Sequence, residues 1–550
     1  MRQAILEFLS SDFTKIKTAD QMSDLKRRLA KKYGDAILLH SDLLPEIKNK
    51  LKNKNLTNKE KINLESAVLL LKKRAIRTLS GIAPVAVLTK PYPCPGTCAY
   101  CPNEKNVPAS YLSNEPAVMR AIRCSYDPYR QIVLRLKAME NNGHEPNKIE
   151  VIVIGGTWSY FPEKYKFWYI LNCFKAANDY AKLKLPEDPD EDSRLKLANN
   201  LIKKIKSPFL PNMKLVEIKK QLLSEQKKNE KAKYKIIGLT LETRPDYINP
   251  QELLEMRQLG ATRVEIGVQA IDDQILTLNK RKSGIKEIAQ ATKALKDYGF
   301  KVTYHFMPAL PGSNPKKDLE MFKELFSNPN YQPDQIKFYP TVVTKGSLLY
   351  RWYKAGKYQP YTDQELEELI AECKALVPPY VRIIRLIRDI PGESIVAGNL
   401  VTNLRQIMQQ KGVKCNCIRC REIKDKPMNI KKSKLIIVKY PASDGMEYFL
   451  SYNSPDNKDL YGFCRLRLSA NSPIAPALIR ELHVYGQLVP VGQSKKVQHS
   501  GLGKKLMLEA EKIVRKNNLK EIAIISGIGV RGYYRKLGYK LKNTYMIKSL

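Results

Sequence analysis

Three cysteines lie close together in the stretch CPGTCAYC, which runs from Cys94 to Cys101. Cys94, Cys98 and Cys101 form a C-x3-C-x2-C pattern. An odd triplet cannot be paired off in disulfides, and a structural zinc site normally has four protein ligands. Three thiolates around one metal cluster would leave a coordination position open for another molecule. A three-cysteine zinc knuckle is the alternative for this loop.

A second triplet has C-x-C-x2-C spacing and consists of Cys415, Cys417 and Cys420. Its tight spacing in a basic stretch favours a structural zinc site whose fourth ligand comes from elsewhere. Reduced free thiols and an oxidation-prone cluster are the alternatives. The remaining cysteines are isolated, and each is interpreted as a small core residue: Cys124, Cys173, Cys373 and Cys464.

A third motif, QHSGLGKKLMLEAEKIV, contains Gln498, Gly501 and Gly503 as Q-x-x-G-x-G immediately before an amphipathic helix. Glycines let a backbone approach a ligand closely, and a helix start offers free N–H groups to a pyrophosphate. The motif follows the strand-like run ELHVYG and precedes EIAIIS and GYYRKLGY. The combination predicts a nucleotide-type cofactor at this turn, although YYRKLGY alone is equally typical of an ordinary turn with core tyrosines.

Short β-rich runs alternate with helical stretches from about residue 80, among them IEVIVIGG, IIGLTLET, TRVEIGVQ and KVTYHFMPAL. This alternation predicts a parallel sheet in a full or partial (β/α) barrel, whose chemistry sits at the carboxyl ends of the strands. Each polar or glycine residue at those ends also has a structural interpretation, as a tight turn, an ion pair or a core histidine. The candidates are Gly155, Gly156, Thr157, Glu242, Arg244, Glu265 to Gln269 and His305 to Gly312.

The chain of 550 residues has 95 Lys and Arg against 55 Asp and Glu, a formal net charge of +40. Such an excess predicts an extended polyanion as partner, with nucleic acid ahead of an anionic membrane. A proteome that is lysine-rich throughout is the alternative explanation. We find no signal peptide and no apolar run of the roughly 20 residues that span a bilayer. The sequence therefore predicts a cytoplasmic protein with no membrane contact.

The order of helix-like and strand-like segments along the chain predicts an α/β multidomain protein. Residues 1–75 are interpreted as a basic helical RNA-binding module, and residues 76–375 as the barrel, with a charged surface insertion at about 179–233. Residues 376–430 are expected to be a linker that carries the second cysteine triplet. Residues 431–550 are expected to form a second β-rich domain of mixed α/β structure.

Two of these motifs resemble known families. The first triplet, with Tyr100 before its last cysteine, is similar to the loop of radical S-adenosylmethionine enzymes, and the 498–503 turn resembles that of GNAT acetyltransferases. The two together, with GGTW, LETRPDY, TRVEIGVQ, RELHVYG and YYRKLGY, resemble the catalytic subunit family of Elongator. The likeness runs from about residue 75 to the end and implies a radical S-adenosylmethionine partial barrel fused to a GNAT domain.

The resemblance implies three cofactors or co-substrates, and the spacing of the second triplet adds zinc. Cys94, Cys98 and Cys101 would hold three irons of a [4Fe–4S] cluster, whose fourth iron chelates S-adenosylmethionine. Gly155 and Gly156 would line its methionine end. Zinc is expected at the second triplet. Acetyl-coenzyme A would be contacted by Lys148, Glu481, Leu482, His483, Val484, Val497, Gln498, His499, Gly501, Gly503 and Tyr534, the last of which is also assigned as catalytic. From its composition alone, Lys148 is one more surface lysine.

The implied reaction is carboxymethylation at C5 of the tRNA wobble uridine. A 5′-deoxyadenosyl radical would take hydrogen from the acetyl methyl group, the carbon radical would add to C5, and thioester hydrolysis would free coenzyme A. The expected partners are acetyl-coenzyme A and the anticodon stem-loop of tRNA, with a homodimer as one option for the assembly. The predicted RNA contacts are Arg74, Arg77, Lys280, Arg281 and Lys282.

Two other functions compete with this one. The first is a protein lysine acetyltransferase in which the iron–sulfur cluster serves only structure, since a GNAT fold alone does not specify the acceptor. The net charge opposes basic protein tails as substrates. The second is a non-catalytic RNA-binding scaffold, which the intact triplet beside an intact Q-x-x-G-x-G argues against.

Overall fold

The structure is a computed structural model, and it describes residues 2–34, 38, 40–53, 55–71, 81–183, 213–401, 403–423, 428–485 and 501–550. Five predicted contact residues lie outside the described residues: Arg74, Arg77, Val497, Gln498 and His499. No helix within the described ranges is long and apolar enough to cross a membrane.

The amino-terminal module is helical, as predicted, and has its own apolar core. Its helices are α1 (Arg2–Ser10), α2 (Ala19–Tyr33), α3 (His40–Leu51) and α4 (Asn58–Leu71). Phe8 and Phe13 are fully buried between them. Thr18 caps α2 with its side chain. The module touches the rest of the chain through α3, where the Lys48 ammonium donates to the backbone carbonyl of Glu140 at 3.4 Å.

A parallel seven-stranded sheet forms the barrel and confirms the predicted partial (β/α) architecture. In spatial order its strands are β1 (Ala83–Leu88), β2 (Lys148–Ile154), β3 (Lys235–Thr243), β4 (Arg263–Gln269), β5 (Lys301–Phe306), β6 (Gln335–Phe338) and β8 (Arg382–Arg385). A two-stranded antiparallel ribbon follows from β7 (Val343–Thr344) and β9 (Ile395–Ala397). Because all the pairings of the large sheet are parallel, the carboxyl ends of its strands share one mouth.

Helices cover the outer face of this sheet. They are α5 (Pro116–Arg123), α6 (Pro128–Asn141), α7 (Glu163–Asp179), α8 (Leu215–Asn229), α9 (Pro250–Leu259), α10 (Asp273–Leu278), α11 (Ile285–Asp297), α12 (Pro315–Ser327), α13 (Leu348–Lys354) and α14 (Asp363–Leu376). Two of them begin with an Asn–Pro pair, in which Asn249 and Asn314 accept the amides of Glu252 and Lys317. The asparagine satisfies a free helix amide, and proline at the first helical position lacks one.

Of the segment predicted as a surface insertion, 179–233, the structure describes residues 179–183 and 213–233. Its second half contains α8, whose Ile218 and Leu222 are buried against the core beside α7. An amphipathic helix of this kind covers the sheet instead of projecting from it. This half is therefore a layer of the barrel, which corrects the expectation of a surface position.

The carboxyl-terminal domain is a mixed sheet, which completes the predicted fold class. The linker before it holds α15 (Leu404–Gln410) and α16 (Ile418–Arg421). The sheet runs β10-β11-β12-β13-β14-β16-β15, and its elements are β10 (Lys434–Ala442), β11 (Gly445–Asn453), β12 (Leu460–Leu468), β13 (Ala477–Val484), α17 (Leu502–Lys516), β14 (Glu521–Ile524), α18 (Arg531–Arg535), β15 (Lys540–Lys542) and β16 (Tyr545–Ser549).

A buried set of charges joins the two domains. This interdomain charge cluster consists of Lys296, Asp297 and Asp334 from the barrel and Glu447, Arg465, Arg467 and Arg480 from the carboxyl-terminal sheet. Arg480 Nη2 lies 2.6 Å from Asp334 Oδ1, and Arg467 Nη2 lies 2.6 Å from Asp297 Oδ1. Around these charges the apolar cores are continuous, since Leu478 and Ile525 pack in the same cluster as the barrel residues. The two domains are thus packed as one body.

Candidate active site

The first cysteine triplet lies in the long loop after β1, at the mouth of the barrel. Backbone hydrogen bonds fix this loop from two sides. The Ala99 amide donates to the Asn279 carbonyl at 3.0 Å, and the Leu349 amide donates to the Ala99 carbonyl at 2.7 Å. Within the loop, the Cys101 amide donates to the Cys98 carbonyl at 3.1 Å. The loop is thus held between the segments that follow β4 and β6.

The three thiols have different surroundings. Cys94 is exposed and accepts the Gly96 amide at 3.4 Å, whereas Cys98 and Cys101 are partly buried. Burial raises the pKa of the Cys101 thiol to about 12. Burial also opposes ionisation of Cys98, but the guanidinium of Arg281, whose Nη1 donates to the sulfur at 3.4 Å, holds that pKa below its ordinary value. Arg281 therefore favours ionisation of Cys98, whereas burial opposes ionisation of Cys101.

Unused donors surround the loop. Arg244 uses Nε and Nη2 for two 2.9 Å bonds to Asp246, and its Nη1 is directed at Gly96, where a Cβ would clash with it. Within the described ranges, Arg244 Nη1, Arg281 Nε and the Tyr100 hydroxyl are buried without a hydrogen-bond partner. Buried donors without partners are costly, so an acceptor-rich anionic group fits beside these thiols. Three cysteines with such donors suit an iron–sulfur cluster and its ligand.

Gly155 and Gly156 end β2 next to the start of the cysteine loop. Their φ angles are 113° and 68°, in the region that favours glycine. A Cβ on Gly155 would lie 2.5 Å from Thr89 Oγ1, which donates to the Gly155 carbonyl at 2.8 Å. Both glycines therefore sit at the predicted strand end, and the first is required by close packing against β1.

One layer below the mouth, the barrel interior is charged instead of apolar. Glu242, Glu265 and His305 bring three ligand atoms within 4.8 Å of one another. The Lys337 ammonium lies 3.1 Å from Glu242 and in direct contact with Glu265. Although Glu265 is buried, Lys337 holds its pKa well below the usual range, and this glutamate raises the pKa of Lys337 despite burial. The group is an ion-pair network, since a lysine already fills the place of a cation.

Sequence reasoning missed Lys337. Its signal was a lysine that alternates with the apolar Ile336 and Phe338 in the short strand QIKF. The Tyr111 hydroxyl extends the network toward the cysteine loop by donating to Glu242 at 3.2 Å.

The predicted RNA contacts separate into different environments. Lys280 and Lys282 are exposed at the end of α10. Arg281 between them turns inward to Cys98 and to the Gly267 carbonyl, which corrects its assignment as an RNA contact. Lys280 has a positive φ of 55°, which reverses the chain direction at this point and separates the three side chains.

Strands β13 and β14 of the carboxyl-terminal sheet diverge. They pair only at Leu478 and Ile479, and a register shift between β12 and β13 follows at once. The Tyr485 amide donates to Tyr461 on the β12 side at 2.9 Å. Because successive residues alternate, the amides of Leu482 and Val484 face the open side. An extended ligand can therefore pair with β13 along this gap.

The start of α17 closes one end of this gap. Gly501 has a φ of 80° directly before the helix, and a Cβ on Gly503 would lie 2.7 Å from the Tyr533 hydroxyl and 3.7 Å from Val484. The helix start therefore approaches the end of β13 closely. Tyr534 is buried nearby, and burial raises its pKa well above the usual range, so it is a neutral phenol.

Glu481 and His483 line the barrel side of β13. Glu481 lies 3.4 Å from Lys301, the first residue of β5, and 3.0 Å from Arg465. Although burial opposes ionisation, Lys301 and Arg465 hold the pKa of Glu481 at about 2. Burial lowers the pKa of His483 to about 4, and its Nε2 has no hydrogen-bond partner in the described part of the chain. Glu481 is thus an anchor between domains, and His483 is a neutral ring.

Lys148 begins β2, at the end of the strand away from the cysteine loop. It pairs with Lys235 of β3, and a Cβ on Gly529, just before α18, would lie 2.7 Å from Lys235. Burial, followed by repulsion from Lys235, lowers the pKa of Lys148. The structure therefore places Lys148 near the carboxyl-terminal domain, at the barrel edge that meets it.

The second triplet converges around the start of α16. The Sγ atoms of Cys415, Cys417 and Cys420 lie within 4.8 Å of one another. Hydrogen bonds from the other two thiols hold the pKa of Cys417 well below its usual range, which is the state that a metal ligand needs. Three converging sulfur ligands fit one zinc ion.

Comparisons with known proteins give the family. The Radical SAM superfamily matches residues 209–325, and the Radical_SAM C-terminal domain matches residues 333–412. The tRNA uridine(34) acetyltransferase of Dehalococcoides mccartyi is 41% identical, with 87% of this chain and 100% of that protein covered. The enzyme of that name from Methanocaldococcus jannaschii is 38% identical, with 100% and 98% covered. Human Elongator complex protein 3 is 37% identical, with 87% and 86% covered. This chain belongs to the family of tRNA uridine(34) acetyltransferases and Elongator complex protein 3.

The Elongator family assignment agrees with a solved structure. Archaeal Methanocaldococcus infernus Elp3 with an amino-terminal deletion has a TM-score of 0.69 and 36% identity, covering 86% of this chain and 99% of that chain. The resemblance found in the motifs and the predicted fold class are both confirmed. Membership of the radical SAM superfamily implies a [4Fe–4S] cluster and S-adenosylmethionine.

Proposed function

We propose that this chain carboxymethylates C5 of the wobble uridine of tRNA, with S-adenosylmethionine and acetyl-coenzyme A as co-substrates. The observation that carries the proposal is the combination of two features in one packed structure. The first is the cysteine triplet at the barrel mouth, and the second is the gap between β13 and β14, which ends at the start of α17. Relatives named tRNA uridine(34) acetyltransferase align with 87% and 100% of the chain. On this proposal the protein is an acyltransferase that acts on RNA.

Cys94, Cys98 and Cys101 would hold the [4Fe–4S] cluster. When bound, the cluster supplies the electron that cleaves S-adenosylmethionine. Arg244 offers its unpartnered Nη1 to an anionic group beside the cluster, while Asp246 keeps the guanidinium in place. The loop hydrogen bonds hold the thiols in position before the cluster binds.

Acetyl-coenzyme A would lie along the open side of β13. The amides of Leu482 and Val484 would pair with its extended arm, and the start of α17 at Gly501 would receive its pyrophosphate. Tyr534, a neutral phenol, can hold a proton close to the thioester. His483 would face the same arm as a neutral ring.

The proposal also includes further contacts to acetyl-coenzyme A, a zinc site and contacts to RNA. The predicted contacts at 497–499 and Lys148 are retained as contacts to acetyl-coenzyme A. A zinc ion at Cys415, Cys417 and Cys420 would hold the linker between the domains, with a fourth ligand still to be identified. The exposed Lys280 and Lys282 are retained as contacts to the anticodon stem-loop. A homodimer and a cytoplasmic location remain predictions.

The test is an anaerobic reaction of the reconstituted protein with S-adenosylmethionine, reductant, acetyl-coenzyme A and tRNA, followed by mass spectrometry of the digested nucleosides. We expect 5-carboxymethyluridine, and we expect it to disappear in Cys98→Ala. The competing function, a protein lysine acetyltransferase with a structural cluster, predicts acetylated protein and no new nucleoside, and it predicts that Cys98→Ala retains this activity.

A further inference from the structure

Arg281 carries a partly buried positive charge beside the cysteine loop. Its guanidinium donates to Cys98 Sγ at 3.4 Å and to the Gly267 carbonyl. Within the described ranges, no carboxylate forms an ion pair with it, whereas nearby Arg244 is neutralised by Asp246. A partly buried guanidinium with an unpartnered Nε favours an anionic group at this position.

The backbone holds Arg281 for this contact. Asn279 receives the amide of Ala99, and its own side chain donates to the Ile275 and Pro311 carbonyls at 2.8 and 2.9 Å. The Arg281 amide donates to the Leu276 carbonyl at 2.9 Å. The segment that carries Arg281 is therefore fastened to the same loop that carries the cysteines.

Gly267 on β4 leaves room for the side chain. A Cβ at this position would lie 2.9 Å from Arg281 Nη2 and 2.8 Å from Gln269 Nε2. The two other cysteines have uncharged contacts instead, because Cys94 accepts the Gly96 amide and Cys101 lies 3.6 Å from the Pro102 carbonyl. The guanidinium hydrogen bond is therefore placed on one sulfur of the three.

We propose that Arg281 is a positioning residue that sets the reduction potential of the iron–sulfur cluster through Cys98. The inference rests on the proposed function only in requiring that the triplet binds the cluster. Reduction adds one negative charge to a cluster that is already held by thiolates. A guanidinium on one of these thiolates favours the more negative, reduced form, and hydrogen bonds to the sulfur atoms and net charge are known determinants of such potentials.

The test compares Arg281→Met, which has similar length and no charge, with Arg281→Lys, which retains the charge but cannot reach both Cys98 and Gly267. Lys286→Met, an exposed lysine five residues along the chain, is the matched control. Each protein is reconstituted without oxygen, its iron and sulfide are counted, and its midpoint potential is measured by redox titration with electron paramagnetic resonance, without tRNA or acetyl-coenzyme A.

We expect the equilibrium constant for reduction to fall at least tenfold in Arg281→Met, a 59 mV more negative potential for a one-electron couple. Arg281→Lys should shift it by a smaller factor, and Lys286→Met should leave it unchanged. The proposal would be overturned if Arg281→Met carries a full cluster and its equilibrium constant for reduction lies within twofold of that of the unmodified protein.

If Arg281→Met binds no cluster, the test rests on Arg281→Lys. A threefold or larger fall in its equilibrium constant for reduction supports the proposal, and an unchanged equilibrium constant refutes it. If Cys98→Ala contains as much iron as the unmodified protein, the assignment of the cluster to this triplet is itself overturned. That result is distinguishable from failure of the Arg281 proposal, because the latter requires a loaded cluster with an unchanged potential.

Discussion

Replacing Arg480 by methionine is expected to loosen the contact between the barrel and the carboxyl-terminal domain. In the native structure Arg480 donates to Asp334 at 2.6 and 2.8 Å and to Glu447 at 3.0 and 3.2 Å. A further bond reaches the Phe300 carbonyl at 2.7 Å. Methionine occupies much of the same volume but leaves two buried carboxylates with fewer partners.

The expected cost follows from burial. The side chains of Arg480, Asp334 and Glu447 are at most 1% exposed, so water cannot replace the lost donors. Removing one partner of a buried hydrogen-bonded ion pair typically costs about 3–5 kcal/mol. That is roughly a 150- to 4,000-fold increase in the population in which the interface is open.

Hydrogen exchange of the backbone amides in β12 and β13 measures this opening directly, since local opening sets their exchange rates. Lys512→Met is the matched control on the same domain, because Lys512 pairs with Glu509 at 2.8 Å while 68% exposed. Loss of an exposed pair is expected to change stability by less than about 1 kcal/mol.

The reasoning would be refuted if Arg480→Met cost no more than the Lys512 control. A second check is the double variant Arg480→Met/Asp334→Leu, which removes a carboxylate along with its partner. Because the two residues contact each other, we expect its cost to be smaller than the sum of the single costs by at least about 1 kcal/mol. Additive costs would show that the two residues act independently.

Four further outcomes are expected. Arg244→Lys should weaken S-adenosylmethionine binding by about tenfold or more in calorimetry of the reconstituted protein, since lysine lacks the fork that bonds Asp246 and leaves a third donor free. Glu481 has a folded-state pKa of about 2 against an ordinary 4.5, so it stabilises the fold by about 3 kcal/mol above pH 4.5 and loses this contribution toward pH 2. In Glu481→Gln the free energy of unfolding, measured by denaturant titration, should therefore change less between pH 4.5 and pH 2. Cys417→Ser should remove one zinc per chain, measured by atomic emission, without changing the iron content. Lys280→Glu with Lys282→Glu should weaken tRNA binding and reduce its salt slope by about 2, measured by filter binding across salt concentrations.

Much of the site could be predicted because its signals are local in sequence. The spacing of the cysteines, the glycines at 155–156 and the alternation of strands and helices each follow from neighbouring residues. The β13 and α17 motif likewise combines a strand, a glycine turn and a helix in order. Where local pattern and tertiary structure agree, as at these positions, sequence reasoning succeeds.

The inward turn of Arg281 could not be predicted in this way. Its neighbours Lys280 and Lys282 are exposed, and three consecutive basic residues are typical of a solvated surface. Only the left-handed backbone at Lys280 and the space beside Gly267 separate the arginine from the two lysines. Both are properties of the folded chain. The charged interdomain contact was missed for the same reason, since its members come from segments more than 100 residues apart.

The two proposed cofactor sites lie at opposite ends of the same strands. Lys301, which anchors Glu481 of β13, begins β5, whereas His305 near its other end pairs with Gly267 beneath Arg281. Four residues of strand separate these points by about 13 Å. The buried ion pairs between the domains fix their relative position, and the apolar core continues around them. Bringing an acetyl group to the cluster end therefore depends on the reach of acetyl-coenzyme A and of the RNA base, within a frame that must stay rigid. Arg480→Met, which weakens this frame, should for this reason reduce the yield of 5-carboxymethyluridine.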